Sequence, residues 1–132
     1  MSPALKFYYR KGCKTCAAVR EQLERRGVEL EPVELKEAAP PEDLIRALIE
    51  RYGLERVVRR RTPRELRERA SRLGSQEAAR FLAEHPEALE RPILVGDRGP
   101  FLAWDEEMAG LHGLGTLRAG APRRRTRRTG RK

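Results

Sequence analysis

The sequence predicts an α/β protein with a mixed sheet, and three observations carry that prediction. A β-prone run, Lys6-Phe7-Tyr8-Tyr9, is followed by a stretch of good helix formers and then by a second β-prone stretch. Between Pro40 and His85 the apolar residues recur at helical rather than alternating spacing. After that segment, two short apolar runs flank a Gly-Asp turn. The order is therefore β-α-β, a helical insert, then β-β-α.

The first run ends at Arg10-Lys11-Gly12, and Cys13-Lys14-Thr15-Cys16 follows directly. Ala17 to Arg26 favours helix, and Gly27 stands where a C-terminal glycine stop belongs. Val28, Leu30, Val33 and Leu35 flank Pro32 in the second strand, which the proline assigns to a sheet edge. Pro40-Pro41-Glu42-Asp43 opens the next helix, with early acids that suit its dipole. Leu44, Ile45, Leu48, Ile49 and Tyr52 form its apolar stripe, and Gly53 ends it.

After Val57-Val58 and the arginine run Arg59-Arg60-Arg61, Thr62-Pro63-Arg64-Glu65 has the form of a capping box with proline at the first helical position. Leu66, Ala70 and Leu73 continue that helix, Gly74 breaks it, and Ser75 is placed to cap another through Ala79, Leu82 and Ala83. Ile93-Leu94-Val95 and Phe101 to Trp104 read as a hairpin around Gly96-Asp97-Arg98-Gly99. Asp105-Glu106-Glu107 starts a short last helix, and His85 beside Pro86 reads as structural.

The chain has 132 residues and a formal net charge of +9, with 39% hydrophobic and 37% charged residues. A domain of this size buries roughly two-thirds of its unfolded surface, enough for a core without disulfides. The charge is uneven. Taking the eight cationic residues of 118–132 from the 29 lysines and arginines leaves 21 against 20 acids in 1–117, a net of +1. This divides the chain into a nearly neutral body, 1–117, and a basic tail, 118–132, expected to be disordered and to contact nucleic acid nonspecifically. No secretion-signal pattern or membrane span is present, so the expected location is the cytoplasm.

In a reducing compartment, two cysteines three positions apart are poor candidates for a structural bridge. Between a strand and a helix N-terminus they have a chemical use. Free N–H groups and the positive end of the helix dipole stabilise a thiolate, and Arg10, Lys11 and Lys14 add positive charge. Cys13 is the candidate nucleophile and Cys16, one turn later, the resolving thiol. A zinc site would need two further ligands, and only His85 and His112 are available, at unsuitable spacings. Two buried cysteines acting as small hydrophobes are the remaining alternative.

Three ordered segments resemble the arsenate reductase (ArsC)/Spx family. Phe7 to Cys16 is similar to its first strand and active loop, Val57 to Arg61 to a segment carrying a site arginine, and Glu84-His85-Pro86 with Leu89 to Ile93 to its most characteristic stretch. The resemblance covers about residues 4–117. It implies a thioredoxin-like, mixed four-stranded sheet with a helical insertion between the βαβ and ββα halves. It implies a cis Pro92 beside the cysteine loop, and Arg61 and Arg91 facing Cys13 as oxyanion binders, with Gly12 and Pro92 shaping the site.

Two departures stand out. Lys14-Thr15-Cys16-Ala17 replaces the Ser-Arg-Asn type stretch of arsenate reductases, and no arginine stands near Leu102-Ala103-Trp104, where they carry a third. The resemblance thus implies a thiol–disulfide oxidoreductase of arsenate-reductase type. It would need no metal or organic cofactor, only an external reductant such as thioredoxin or a low-molecular-weight thiol. The alternative is a redox-sensing transcription regulator of Spx type that binds RNA polymerase.

Overall fold

The computed structural model describes residues 4–117. The basic tail assigned from the sequence, 118–132, lies outside the described residues. Eleven elements follow one another: β1 (Leu5–Tyr9), α1 (Lys14–Arg25), β2 (Leu30–Glu34), α2 (Glu42–Tyr52), α3 (Leu54–Val57), α4 (Arg64–Ser71), α5 (Ser75–Glu84), a 3-10 turn (Pro86–Ala88), β3 (Ile93–Gly96), β4 (Gly99–Leu102) and α6 (Glu106–Leu111).

The strands form one sheet in the order β2-β1-β3-β4, with β1 and β2 parallel and the other pairs antiparallel. The alternation of side chains divides the core in two. Phe7, Leu94 and Phe101 face α1 and α6, packing on Val19, Leu23 and Met108. Tyr8, Ile93 and Leu102 face the helical insert, packing on Ile45, Leu48, Leu82 and Leu89. The inner strands β1 and β3 are covered on both faces, which is why they read as largely apolar runs rather than as half-polar ones.

Helix α1 stops as its sequence suggests. Gly27, at φ 76°, donates to the Glu24 carbonyl, and Val28 donates to that of Leu23, closing a Schellman motif. Pro32 lies in β2 at the sheet edge, opposite Phe7. The hairpin turns through Asp97-Arg98, and β4 contains a second proline, Pro100, paired with Val95.

Two helix starts differ from the sequence reading. Thr62 does not cap α4, whose N-cap is Pro63 without a side-chain bond. Thr62 is buried instead, and its hydroxyl donates to the Ala88 carbonyl. Ser75 is likewise the first residue of α5 rather than its cap, a position held by Gly74. For Thr62 the local capping signal is outweighed by its tether to Ala88. The short α3 was not visible in the apolar spacing, because four residues complete barely one turn.

Among the described residues some of the charge lies in exposed i,i+4 ion pairs such as Arg46–Glu50 and Arg64–Glu68. Pairs of this kind contribute about 0.3–0.5 kcal/mol each, so they serve solubility more than stability. No helix among the described residues is long and apolar enough to cross a membrane.

Candidate active site

The site forms where β1 ends and α1 begins. Cys13 N–H donates to the Arg10 carbonyl across a four-residue turn, and Gly12 takes the φ of 79° that this turn requires. Cys13 is thereby the N-cap of α1. Its Sγ accepts the Cys16 N–H at 3.4 Å, in the role a serine or aspartate oxygen plays at other helix starts.

The loop before it is pinned from below by Glu34, at the end of β2. That carboxylate is buried, with 5% exposure. It accepts the Lys11 and Lys36 N–H groups at 2.7 and 2.6 Å and a guanidinium N–H of Arg10 at 3.3 Å. Burial pushes its acidity toward the neutral form, but these three donors outweigh burial, and the net shift is downward. Glu34 was missed from sequence, since nothing marks one strand-end glutamate among 20 acids.

A carboxylate with a depressed pKa contributes stability above its unfolded value and loses it as pH falls through the folded one. Glu34→Gln is therefore expected to cost about 2 kcal/mol at neutral pH, from the loss of charge-assisted bonds. The gap to the parent protein is expected to close as acid protonates Glu34. Urea unfolding of both proteins at neutral pH and at about pH 3 checks this; a gap independent of pH would contradict it.

The opposite wall comes from the insert. Val58 bridges to Leu89, Arg59 N–H donates to the Ala88 carbonyl at 2.7 Å, and Glu90 N–H donates to that of Val57 at 2.8 Å. This short ladder, with the Thr62 bond beside it, brings the arginine run against the segment before Pro92. The Arg91–Pro92 peptide is cis. The Arg91 guanidinium donates to the carbonyls of Glu87 and Leu89 at 3.1 and 3.3 Å, which hold it beside Cys13.

The result is a cleft of about 630 Å3 lined by Gly12, Cys13, Arg59, Arg61, Glu90 and Arg91, among others. Four of the sequence-predicted site residues, Gly12, Cys13, Arg61 and Arg91, line it together. Cys16 lies behind Cys13, buried. Arg61 lines the mouth but is exposed; Arg59 is the arginine whose charge bears on Arg91 and Glu90. Arg10, read as a source of positive charge for the thiolate, is engaged with Glu34 instead.

The two thiols are driven apart in acidity. Cys13 is lowered to about 5, first by the hydrogen bond from the Cys16 side chain, then against burial by the Cys16 N–H and Arg91. Cys16 is raised by the same shared proton and by burial. Glu90 is pushed up, chiefly by burial, against the opposing pull of Arg91 and Arg59. Cys13 is thus the thiolate and Cys16 the thiol at neutral pH. Iodoacetamide is expected to modify Cys13 rapidly, with a half-maximal rate near pH 5, and Cys16 only slowly. Equal, slow labelling of both thiols in the native protein would contradict the arrangement.

A strand, a cysteine-capped helix and a proline-led hairpin in this order define a thioredoxin-like fold carrying a helical insertion. The ArsC family model matches residues 8–108, and the chain belongs to the ArsC family. It is 30% identical, over 72% of its length and 86% of the relative's, to the "uncharacterized protein in glnII region" of Streptomyces viridochromogenes. Among solved structures it is similar to a possible arsenate reductase from Streptococcus mutans, with 25% identity, a TM-score of 0.64, and coverage of 74% of this chain and 87% of that one. The arsenate reductase from Vibrio cholerae shares the fold at 19% identity and a TM-score of 0.67, covering 86% and 99% of the two chains.

Proposed function

We propose that the protein is a thiol–disulfide oxidoreductase acting through Cys13 and Cys16. The observation that carries this reading is the placement of the pair: Cys13 caps α1 in the cleft, its Sγ accepting the Cys16 N–H at 3.4 Å, and Cys16 lies buried one turn behind it, with both thiols free.

The Cys13 thiolate attacks one sulfur of a substrate disulfide. A bond forms from Cys13 Sγ to that sulfur, the substrate S–S bond breaks, and the other substrate sulfur leaves as a thiolate and takes a proton. Cys16 then loses its proton to the second leaving group and attacks Cys13 Sγ. An internal disulfide forms, and two electrons have passed to the substrate. Arg91 offsets negative charge on the attacking and leaving sulfurs, with Arg61 and Arg59 at the cleft mouth. Gly12 and Pro92 shape the two sides of the loop. An external dithiol, thioredoxin or a low-molecular-weight thiol, resets the pair, and the protein itself needs no organic cofactor or metal.

The same cleft would admit arsenate. Two features favour a disulfide over it. Cys16 supplies an internal resolving thiol, and Ala103, buried near the place of the third family arginine, offers no charge. Losing one of three arginines weakens a doubly charged oxyanion by about 1.5–3 kcal/mol.

The test is turnover of a small model disulfide and of arsenate, each with thioredoxin or a monothiol as reductant. Disulfide turnover supports the reading, and arsenate turnover alone would replace it with arsenate reduction. Capture of RNA polymerase in one oxidation state only, without turnover of either substrate, would instead support the Spx-type regulator.

A further inference from the structure

Beside the cysteine cleft runs a second, larger groove of about 990 Å3, and the two share Arg60 and Glu90 as a common wall. Leu54, Val58, Tyr52 and Trp104 give it apolar surface. Trp104 is 37% exposed and, with Leu111, is one of two large exposed hydrophobic side chains among the described residues. It packs edge-on against Tyr52 at 5.0 Å, under the Arg56 guanidinium at 5.4 Å. Arg64 is already paired with Glu68. Arg60 and Arg67, by contrast, have neither ion pair nor hydrogen bond through their side chains among the described residues.

We propose that this groove receives the polypeptide flanking the reactive disulfide of a protein substrate, and that this segment is acidic and carries an apolar side chain that seats against Trp104. The inference rests on the thiol-exchange reading of the cleft and names its substrate class. A small oxyanion at Cys13 and Arg91 would leave the exposed surface of Trp104 uncovered. A chain leading away from the disulfide crosses Arg60 into the groove, where unpaired guanidiniums favour carboxylates and the apolar surface favours a buried side chain. A continuous phosphate backbone fits less well, because it would set a charge beside Glu55, Glu68 and Glu90 as well, whereas a peptide can carry its carboxylates opposite Arg60 and Arg67 alone.

The experiment uses the full chain, pre-reduced, in a single turnover. The probe is an acidic decapeptide with one leucine and one cysteine, disulfide-linked to nitrothiobenzoate. A twin peptide has lysine for each acid, and bis(2-hydroxyethyl) disulfide serves as a small neutral substrate. Cys13 bonds to the peptide sulfur and expels nitrothiobenzoate as its coloured thiolate; Cys16 then displaces the peptide thiol. The acidic peptide is expected to react about tenfold faster than its lysine twin. Arg67→Glu is expected to lower that rate about fivefold, with Arg67→Gln intermediate, and to leave the small disulfide unaffected.

Trp104 is the only tryptophan in the chain. Its emission is therefore expected to shift on titration with the acidic peptide bearing serine for cysteine. Equal rates for the twins with unchanged Trp104 emission would overturn the docking proposal, as would a shift produced by a single-stranded oligonucleotide and not by the peptide. If no disulfide reacts at all, the exchange reading fails, while the Trp104 titration still decides the docking.

Discussion

Cys13→Ser is expected to abolish reduction of every substrate, whereas Cys16→Ser is expected to complete the first exchange and stop. The asymmetry follows from the cap. Only Cys13 carries a thiolate near neutral pH, and a serine hydroxyl in its place is not ionised there. Without Cys16, the bond from Cys13 to the substrate sulfur has no internal thiol to break it. Mass spectrometry of Cys16→Ser after one pass over a disulfide is expected to show protein heavier by one substrate thiol. Full turnover by Cys16→Ser at the parent rate would mean that Cys16 does not resolve. The variants also separate two effects of Cys16. A serine can still donate a hydrogen bond to the Cys13 thiolate, but an alanine cannot. Cys16→Ala is therefore expected to raise the Cys13 pKa from about 5, and Cys16→Ser to raise it less.

Arg91→Ala carries the second large effect. Removing this guanidinium takes away one of the groups that hold Cys13 down and leaves the Glu87 and Leu89 carbonyls without their donor. The acid limb of the alkylation rate is expected to move upward, so that the variant reacts more slowly than its parent at about pH 6 and approaches it at higher pH. For an anionic disulfide, loss of a charge-assisted contact of about 1.5–3 kcal/mol predicts a fall in kcat/KM on the order of 10- to 100-fold. Arg91→Lys restores charge without the planar fork, and is expected to recover the pH profile more fully than kcat/KM. An unchanged pH profile in Arg91→Ala would remove Arg91 from the site.

The elements that sequence reasoning located share a property: their signals lie within one turn or one strand. The Gly27 stop, the edge position of Pro32, the hairpin at Asp97-Arg98 and the cysteine-bearing βα junction each depend on local backbone geometry, and each is where the sequence puts it. What was not legible depends on packing across the chain. Thr62 has a cap's sequence, but it is buried and its hydroxyl donates to the Ala88 carbonyl, beside the Arg59 N–H that the same carbonyl accepts. Glu34, Glu90 and Arg59 enter the site through the register of two segments far apart in sequence. Arg61 was chosen from the run Arg59–Arg61 by resemblance, and the ladder to Ala88 and Glu90 sets Arg59 nearer to Arg91 electrostatically. His112 carried no signal, yet its side chain is 6% exposed. It stacks on Phe101, bonds to the Met108 carbonyl and fills the space beside Gly96, so that the last helix clasps the hairpin.

The prolines at the two ends of the sheet determine how this protein meets other chains. In β2 the bonds to β1 are made by Glu29 and Leu35, so the odd-numbered residues face inward and Pro32 presents its missing donor to the outside. In the two-residue hairpin Gly96 and Gly99 form the closing pair, which turns Pro100 and Leu102 outward; the first has no N–H and the Leu102 N–H is taken by the Tyr52 hydroxyl at 3.2 Å. The β4 margin thus keeps neither of these two donors for a foreign strand, and at the β2 margin Pro32 interrupts the row between Leu30 and Glu34. Both prolines work against recruitment by β-augmentation and against edge-to-edge stacking of native sheets. On the thiol-exchange reading proposed above, a partner approaches through side chains at the mouth above Cys13, where chemistry rather than backbone pairing selects it.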